Sequence, residues 1–219
     1  MTTPKRIVLA IDIGGTHVKA KLSTGDERRR FDSGPTLTPA EMAAGVLKLT
    51  EGWTWDVVSI GIPTPIRNSK PMREPINLGK GWVAFDYDAA FGKPTKVVND
   101  AVMQALGSYE GGRMLFLGLG AGLGSTMIID GTIAPMELGH LPFKKRTFED
   151  YVSVKTLPEV GKRRWKRAVF ETVELLVAAL EPEYVVLGGG GVKELDELPP
   201  LARRGDNENA FVGGFRLWD

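Results

Sequence analysis

Apolar residues follow two patterns along this chain, and each predicts a different element. Short β-branched runs predict buried strands at Ile7–Ile13, Val57–Ile62, Met114–Leu119 and Tyr184–Leu187. His17–Leu22 alternates polar and apolar positions, as a strand with one covered face does. Further strands are expected from Phe31, at Thr95–Val98 and at Ser125–Asp130. Thr38-Pro39-Ala40-Glu41 combines an N-cap, a proline at the first helical position and a glutamate three residues after the cap, which predicts a helix to about Thr50. Asp100–Tyr109 reads as a helix. So does Arg164–Leu180, where Trp165, Val169, Val173, Leu176, Val177 and Leu180 share one face at helical spacing. Residues 63–82 hold many Pro, Gly and Asn and read as a long loop, a length that is often functional. Residues 132–160 read as irregular, and 205–219 as a short terminal helix.

One layout occurs twice. LAIDIGGTHVKAKL and LFLGLGAGLGSTMII each run from an apolar strand through a glycine turn into a second strand, about half the chain apart. The repeat predicts an α/β protein of two lobes facing a cleft. The expected division is 1–98 and 99–205, with a helix over about 206–219 packing back on the first lobe.

Neither turn opens a helix, so neither is the dinucleotide fingerprint, and no GxxxxGK[ST] loop is present. Glycines in a strand-to-strand turn let the backbone approach a ligand, and successive N–H groups can bind an anion. Gly14, Gly15 and Thr16, and Gly120, Ala121 and Gly122, are therefore candidate phosphate-binding positions. For either loop alone, a tight hairpin without a ligand is the competing reading. Asp12 adds weight, because a carboxylate inside an apolar run is costly unless paired or metal-bound. It either holds Mg²⁺, directly or through water, or accepts hydrogen bonds from the turn amides.

Composition narrows the chemistry. The 219 residues contain 28 basic and 27 acidic side chains, for a net charge of +1, which argues against a globally basic nucleic-acid binder. There is no cysteine and there are two histidines, so thiolate zinc sites, iron–sulfur clusters and cysteine nucleophiles are excluded. No apolar run is long enough for a membrane span, and a cytoplasmic location is expected.

Five segments, in order, resemble the ROK family of sugar kinases within the hexokinase–actin superfamily. IDIGGTHVKA (11–20) resembles its first phosphate motif, and VVNDAVMQALG (97–107) its Asn-Asp catalytic motif. LGLGAGLGSTMIIDG (117–131) resembles the second phosphate motif, ELGH (137–140) the sugar motif, and VVLGGGGV (185–192) the glycine-rich nucleoside motif. Within the family the closest resemblance is to the polyphosphate glucokinase branch. It implies a two-lobed actin/hexokinase-like (ribonuclease H-like) fold with mixed sheets, and phosphoryl transfer to a sugar, glucose first, with Mg²⁺. Asp100 would be the general base, although a helix N-cap is its competing role. Asn99, Glu137, His140, Glu149, Asn77 and Thr64 would bind the sugar, and Gly188, Gly189 and Gly190 the nucleotide. A homodimer is the family expectation.

The departures are specific. The family's cysteine zinc loop after ELGH is replaced by LPFKKRTF (141–148), so no zinc is expected. Pro63-Thr64-Pro65-Ile66 replaces a Pro-Gly turn, and Ala121 replaces a threonine. Between 144 and 167 nine basic residues face three acidic ones. That segment reads either as a track for a polyphosphate donor or as the solvated face of a helix, leaving polyphosphate, ATP or both as donor. The alternative function is a sugar-binding sensor or regulator of the same fold. Only six residues precede Ile7, too few for the DNA-binding domain of the family's repressors.

Overall fold

The structure is a computed structural model that describes residues 6–206 and 208–219. The chain divides into two units. One comprises the N-terminal residues to Met103 together with Ala210–Asp219, and the other runs from Gln104 to Asn209. The boundary falls inside a helix, five residues beyond the division at 98/99 expected from the sequence.

In the first unit, the opening apolar run forms β1 (Val8–Ile13), buried throughout, and the alternating segment forms β2 (His17–Leu22). β3 (Arg28–Asp32) follows, then α1 (Pro39–Leu49), which opens with the full capping box: Glu41 N–H on Thr38 Oγ1 and Thr38 N–H on the Glu41 carboxylate. β4 (Val57–Ile62) is buried along its length. The expected loop over 63–82 contains a small hairpin, β5 (Ile66–Arg67) and β6 (Lys70–Pro71), turning through Asn68 and Ser69 at positive φ. α2 (Tyr87–Phe91), β7 (Thr95–Asn99) and the start of α3 (Asp100–Ser108) complete the run. The sheet order is β3-β2-β1-β4-β7, with β1, β4 and β7 parallel. Its core joins Leu9, Ile11 and Ile13 to Ile60, Met42, Val46 and Trp82.

The second unit repeats the plan. β8 (Arg113–Leu119), β9 (Leu123–Ile129) and β10 (Thr132–Met136) form an antiparallel meander. β13 (Tyr184–Gly188) and β14 (Ala202–Arg204) extend it in parallel, in the order β10-β9-β8-β13-β14. The segment 132–160 is ordered rather than irregular. After β10 come a 3-10 turn at Leu138–His140, the hairpin β11 (Pro142–Phe143) and β12 (Arg146–Thr147), α4 (Glu149–Val152) and α5 (Leu157–Val160). Each piece is too short to show a period, so the prolines are the strongest local signal there. α6 (Lys162–Leu180) buries Trp165, Val169, Val173 and Leu176 as expected, and the Trp165 indole N–H is 3.0 Å from the carbonyls of both Val152 and Ser153.

The closing helix α7 (Asn209–Arg216) belongs mostly to the first unit, where Phe211 is fully buried. Ser59 donates to the Gly214 carbonyl at 2.6 Å and accepts from the Trp218 indole at 2.9 Å. Among the described residues no helix is long and apolar enough to cross a membrane.

Candidate functional site

Three parallel strands of the first unit end at one edge, and their carboxyl ends carry the candidate residues. Asp12 is opposite Gly61, Gly61 opposite Val98, and Ile62 opposite Asn99. The register therefore brings the Gly14–Thr16 turn, Thr64 and the Asn99–Asp100 pair to the same edge, where α/β sheets bind ligands. Gly61 was not recognised from sequence. A Cβ there would lie 3.3 Å from the Asp100 Cα, so glycine lets β4 pass beside the candidate base.

The turn after β1 is held by Gly14 N–H on the His17 carbonyl at 2.9 Å and by Ser33 Oγ donating to the Gly14 carbonyl at 2.7 Å. A Cβ on Gly15 would meet nothing nearer than the Asn77 Cβ at 3.8 Å, and Gly15 does not have positive φ. Neither protein crowding nor backbone conformation demands glycine there; open space in front of the turn is what it supplies. Asn77 is thus brought beside the turn from the 63–82 segment.

Asp12 is 8% exposed, and its Oδ2 accepts from Lys19 Nζ at 2.9 Å. The buried charge is balanced by an ammonium across the β1–β2 hairpin, a partner the sequence reading did not consider. Among the described residues no cluster of three or more His, Asp or Glu could hold a metal ion. One ion-paired carboxylate can still contribute a single ligand to Mg²⁺ held mainly by substrate phosphates and water.

Asn99 is engaged at both ends of its amide. Nδ2 donates to the Thr64 carbonyl at 3.1 Å, and Oδ1 accepts from Ala101 N–H at 2.9 Å. One N–H and one lone pair remain for a ligand. Asp100 Oδ1 also lies 2.9 Å from Ala101 N, so the two side chains share the work of capping α3. Thr64 is buried and donates its hydroxyl to the Arg73 carbonyl at 2.9 Å, which makes it a fastener of the 63–82 segment.

In the second unit Glu137, His140 and Glu149 converge. His140 Nδ1 is 3.9 Å from Glu137 Oε2, and Nε2 is 3.7 Å from Glu149 Oε1, with all three side chains partly exposed. Ser125, buried on β9, fixes the motif: its hydroxyl donates to the Met136 carbonyl and accepts from Leu138 N–H, both at 3.0 Å. Nothing in the sequence marked Ser125 for this task.

The second glycine turn divides by function. A Cβ at Gly120 would meet nothing within 4 Å, whereas one at Gly122 would lie 2.7 Å from Glu149 Oε2. Gly122 therefore makes room for a carboxylate, and the open side of the turn is at Gly120–Ala121. The 188–191 run divides similarly. A Cβ at Gly188 would strike the Phe116 ring at 2.5 Å, and Gly189, at φ +80, would strike the Leu119 carbonyl at 2.6 Å. Only Gly190 faces open space.

Part of the basic segment is paired with acids from beyond it. Lys144 and Arg167 pair with Glu171, Lys166 with Asp196, and Lys162 with Glu194 and Asp196. Hydrogen bonds from Lys144 hold the Glu171 carboxyl below its ordinary value, and those from Lys166 do the same for Asp196. Four of the nine cations thus have acidic partners drawn from outside the segment, which favours the solvated helix-face reading for that part of it.

No family model matches the chain. It is 25% identical over 221 aligned positions to the polyphosphate glucokinase of Mycobacterium tuberculosis, covering 91% of this chain and 83% of that protein. Among solved structures, the inorganic polyphosphate/ATP-glucomannokinase from Arthrobacter sp. strain KM superposes with a TM-score of 0.82 at 24% identity, covering 96% and 97% of the two chains. A ROK family glucokinase from Streptomyces griseus, in complex with glucose and AMPPNP, gives 0.76 at 16% identity, covering 97% and 99%. The expected actin/hexokinase-like α/β fold is the fold found.

Proposed function

We propose that this chain, a relative of the polyphosphate glucokinases with the fold of the ROK sugar kinases, transfers a phosphoryl group to a hexose hydroxyl. Glucose is the first candidate acceptor, and polyphosphate, ATP or both the donor. The observation that carries the reading is the shared edge of β1, β4 and β7, where an open glycine turn, Asp12 and Asn99–Asp100 lie together.

Asp100 takes the proton of the attacking hydroxyl, and its place in the first turn of α3, against β4 at Gly61, holds it rigidly. Asn99 offers its remaining N–H and lone pair to the sugar. Glu137 and Glu149 accept hydrogen bonds from sugar hydroxyls, and His140 stands between them. The Gly14–Thr16 and Gly120–Ala121 turns present backbone N–H groups to donor phosphates. Asp12 would hold Mg²⁺, which when bound offsets the donor's negative charge.

The test is formation of sugar 6-phosphate from glucose with ATP and, separately, long-chain polyphosphate. Asp100→Asn should lower kcat by roughly 10²–10⁴-fold while glucose still binds by calorimetry. Full activity in Asp100→Asn, or no product from any hexose with either donor, would sink the reading.

A further inference from the structure

His140 and Glu149 stand at the two ends of one hairpin. Leu141 follows His140, Phe148 precedes Glu149, and the Phe148 N–H donates to the Leu141 carbonyl at 3.1 Å. Between them β11 and β12 pair Pro142 with Thr147 and Phe143 with Arg146. The 3.7 Å contact between the His140 and Glu149 side chains therefore depends on how this hairpin is held. Its tip carries Lys144 at φ +55, a left-handed conformation that glycine adopts freely and lysine does not. The backbone gives no reason for lysine there, so the reason lies in the side chain. Lys144 Nζ pairs with Glu171 on α6, and it lies 4.7 Å from the Phe143 ring centre and 5.7 Å from that of Tyr151. Phe143 stacks on Phe148 at 4.8 Å and meets Tyr151 edge-on at 5.2 Å. One ammonium thus joins the hairpin tip, the two rings that flank Glu149 in sequence, and α6.

We infer that Lys144 is a positioning residue for Glu149: through Glu171 and the Phe143–Phe148–Tyr151 cluster it holds the hairpin so that the carboxylate stays beside His140. This rests on the proposed sugar site and names a residue outside it on which sugar affinity depends. A hairpin released at its tip visits conformations in which Glu149 is misplaced, and apparent affinity falls with the fraction of time the site is assembled. Phe143 and Phe148 are buried in the core of this unit, so replacing them would destabilise the fold as well. Lys144 is half-exposed, and its charge can be removed at little cost in stability.

The test compares three variants. Lys144→Met keeps the stem and removes the charge, and Glu171→Gln weakens the same anchor from α6. Lys144→Arg keeps a cation that can pair with Glu171 and lie over the rings. Each is followed by steady-state kinetics, by melting curves and by the imidazole Cε1–H signals in NMR spectra at fixed pH, which are two because the chain has two histidines. Lys144→Met and Glu171→Gln should each raise the glucose KM about three- to tenfold, with kcat, the donor KM and Tm little changed. Both should displace the His140 signal in the same direction and leave that of His17 in place. A direct charge effect would displace it in opposite directions, because one variant removes a positive charge and the other a negative one. Lys144→Arg should restore both readouts. An unmoved His140 signal, opposite displacements, or a fall in Tm with kcat and KM changing together would overturn the inference. So would Lys144→Arg behaving as Lys144→Met does. A His140 signal displaced as expected while the glucose KM stays unchanged, or in a protein that phosphorylates no hexose, would uphold the positioning of Glu149 and remove the sugar-site reading instead.

Discussion

Gly122→Ala separates packing from function at the second turn. The new Cβ would sit 2.7 Å from Glu149 Oε2, so the carboxylate must retreat by roughly 0.7 Å to regain ordinary contact. Gly122 does not have positive φ, so the backbone accepts alanine without strain. The displaced atoms are the far end of a partly exposed side chain, and an off-rotamer Glu149 costs about 0.5–1.5 kcal/mol at most. The expected Tm change is therefore a few degrees or less. Function should respond more strongly, because the retreat alters the 3.7 Å contact between Glu149 and His140. Misplacement of a substrate-holding group by about 1 Å can cost up to about 10²-fold. We expect kcat/KM for glucose to fall about 10- to 100-fold, mostly through KM, with the KM for the phosphoryl donor little changed. Steady-state kinetics with each substrate varied in turn, together with a melting curve, make the comparison. An unchanged glucose KM would refute the placement of Glu149 in the sugar site. A rise confined to the donor KM would return Gly122 to the phosphate turn.

Trp165→Phe strips the indole N–H from two buried carbonyls, and urea unfolding should show a loss of about 1–3 kcal/mol; Trp165→Ala adds a cavity and should cost about 3–5 kcal/mol. Gly214→Ala forces a Cβ to within 2.8 Å of the Ala10 Cβ, and overpacking α7 against β1 should lower stability by about 1–3 kcal/mol in the same assay. The Glu41 carboxyl is held below its ordinary value, first by the Thr38 backbone N–H and then by its hydroxyl. A depressed folded-state pKa gives stability that is present above the unfolded-state value and lost as pH falls through the folded one. Glu41→Gln should therefore melt below the wild type at neutral pH, with the gap closing on acidification in a pH series of melting curves.

Elements whose causes are local can be read directly from the residues. β1, β4 and β13 announce themselves as continuous apolar runs because both of their faces are buried, and α6 by its single apolar stripe. The start of α1 was legible because its capping box lies within four residues. The doubled strand–turn–strand layout, and with it the two-unit plan, was legible because each turn carries its glycines in one short stretch. Features that depend on residues far apart in the chain emerge only from the fold. Lys19, not a turn amide, balances Asp12, because antiparallel register places the two side by side. Glu171, Glu194 and Asp196 pair with four cations of a basic segment whose count along the chain left them out. Glu149 occupies the space that Gly122 leaves, and Ser125 pins a motif 12 residues downstream of it. Periodicity and capping report which face of an element is buried. They carry no information about which distant charge will stand opposite, and that pairing is what gives each candidate residue here its chemistry.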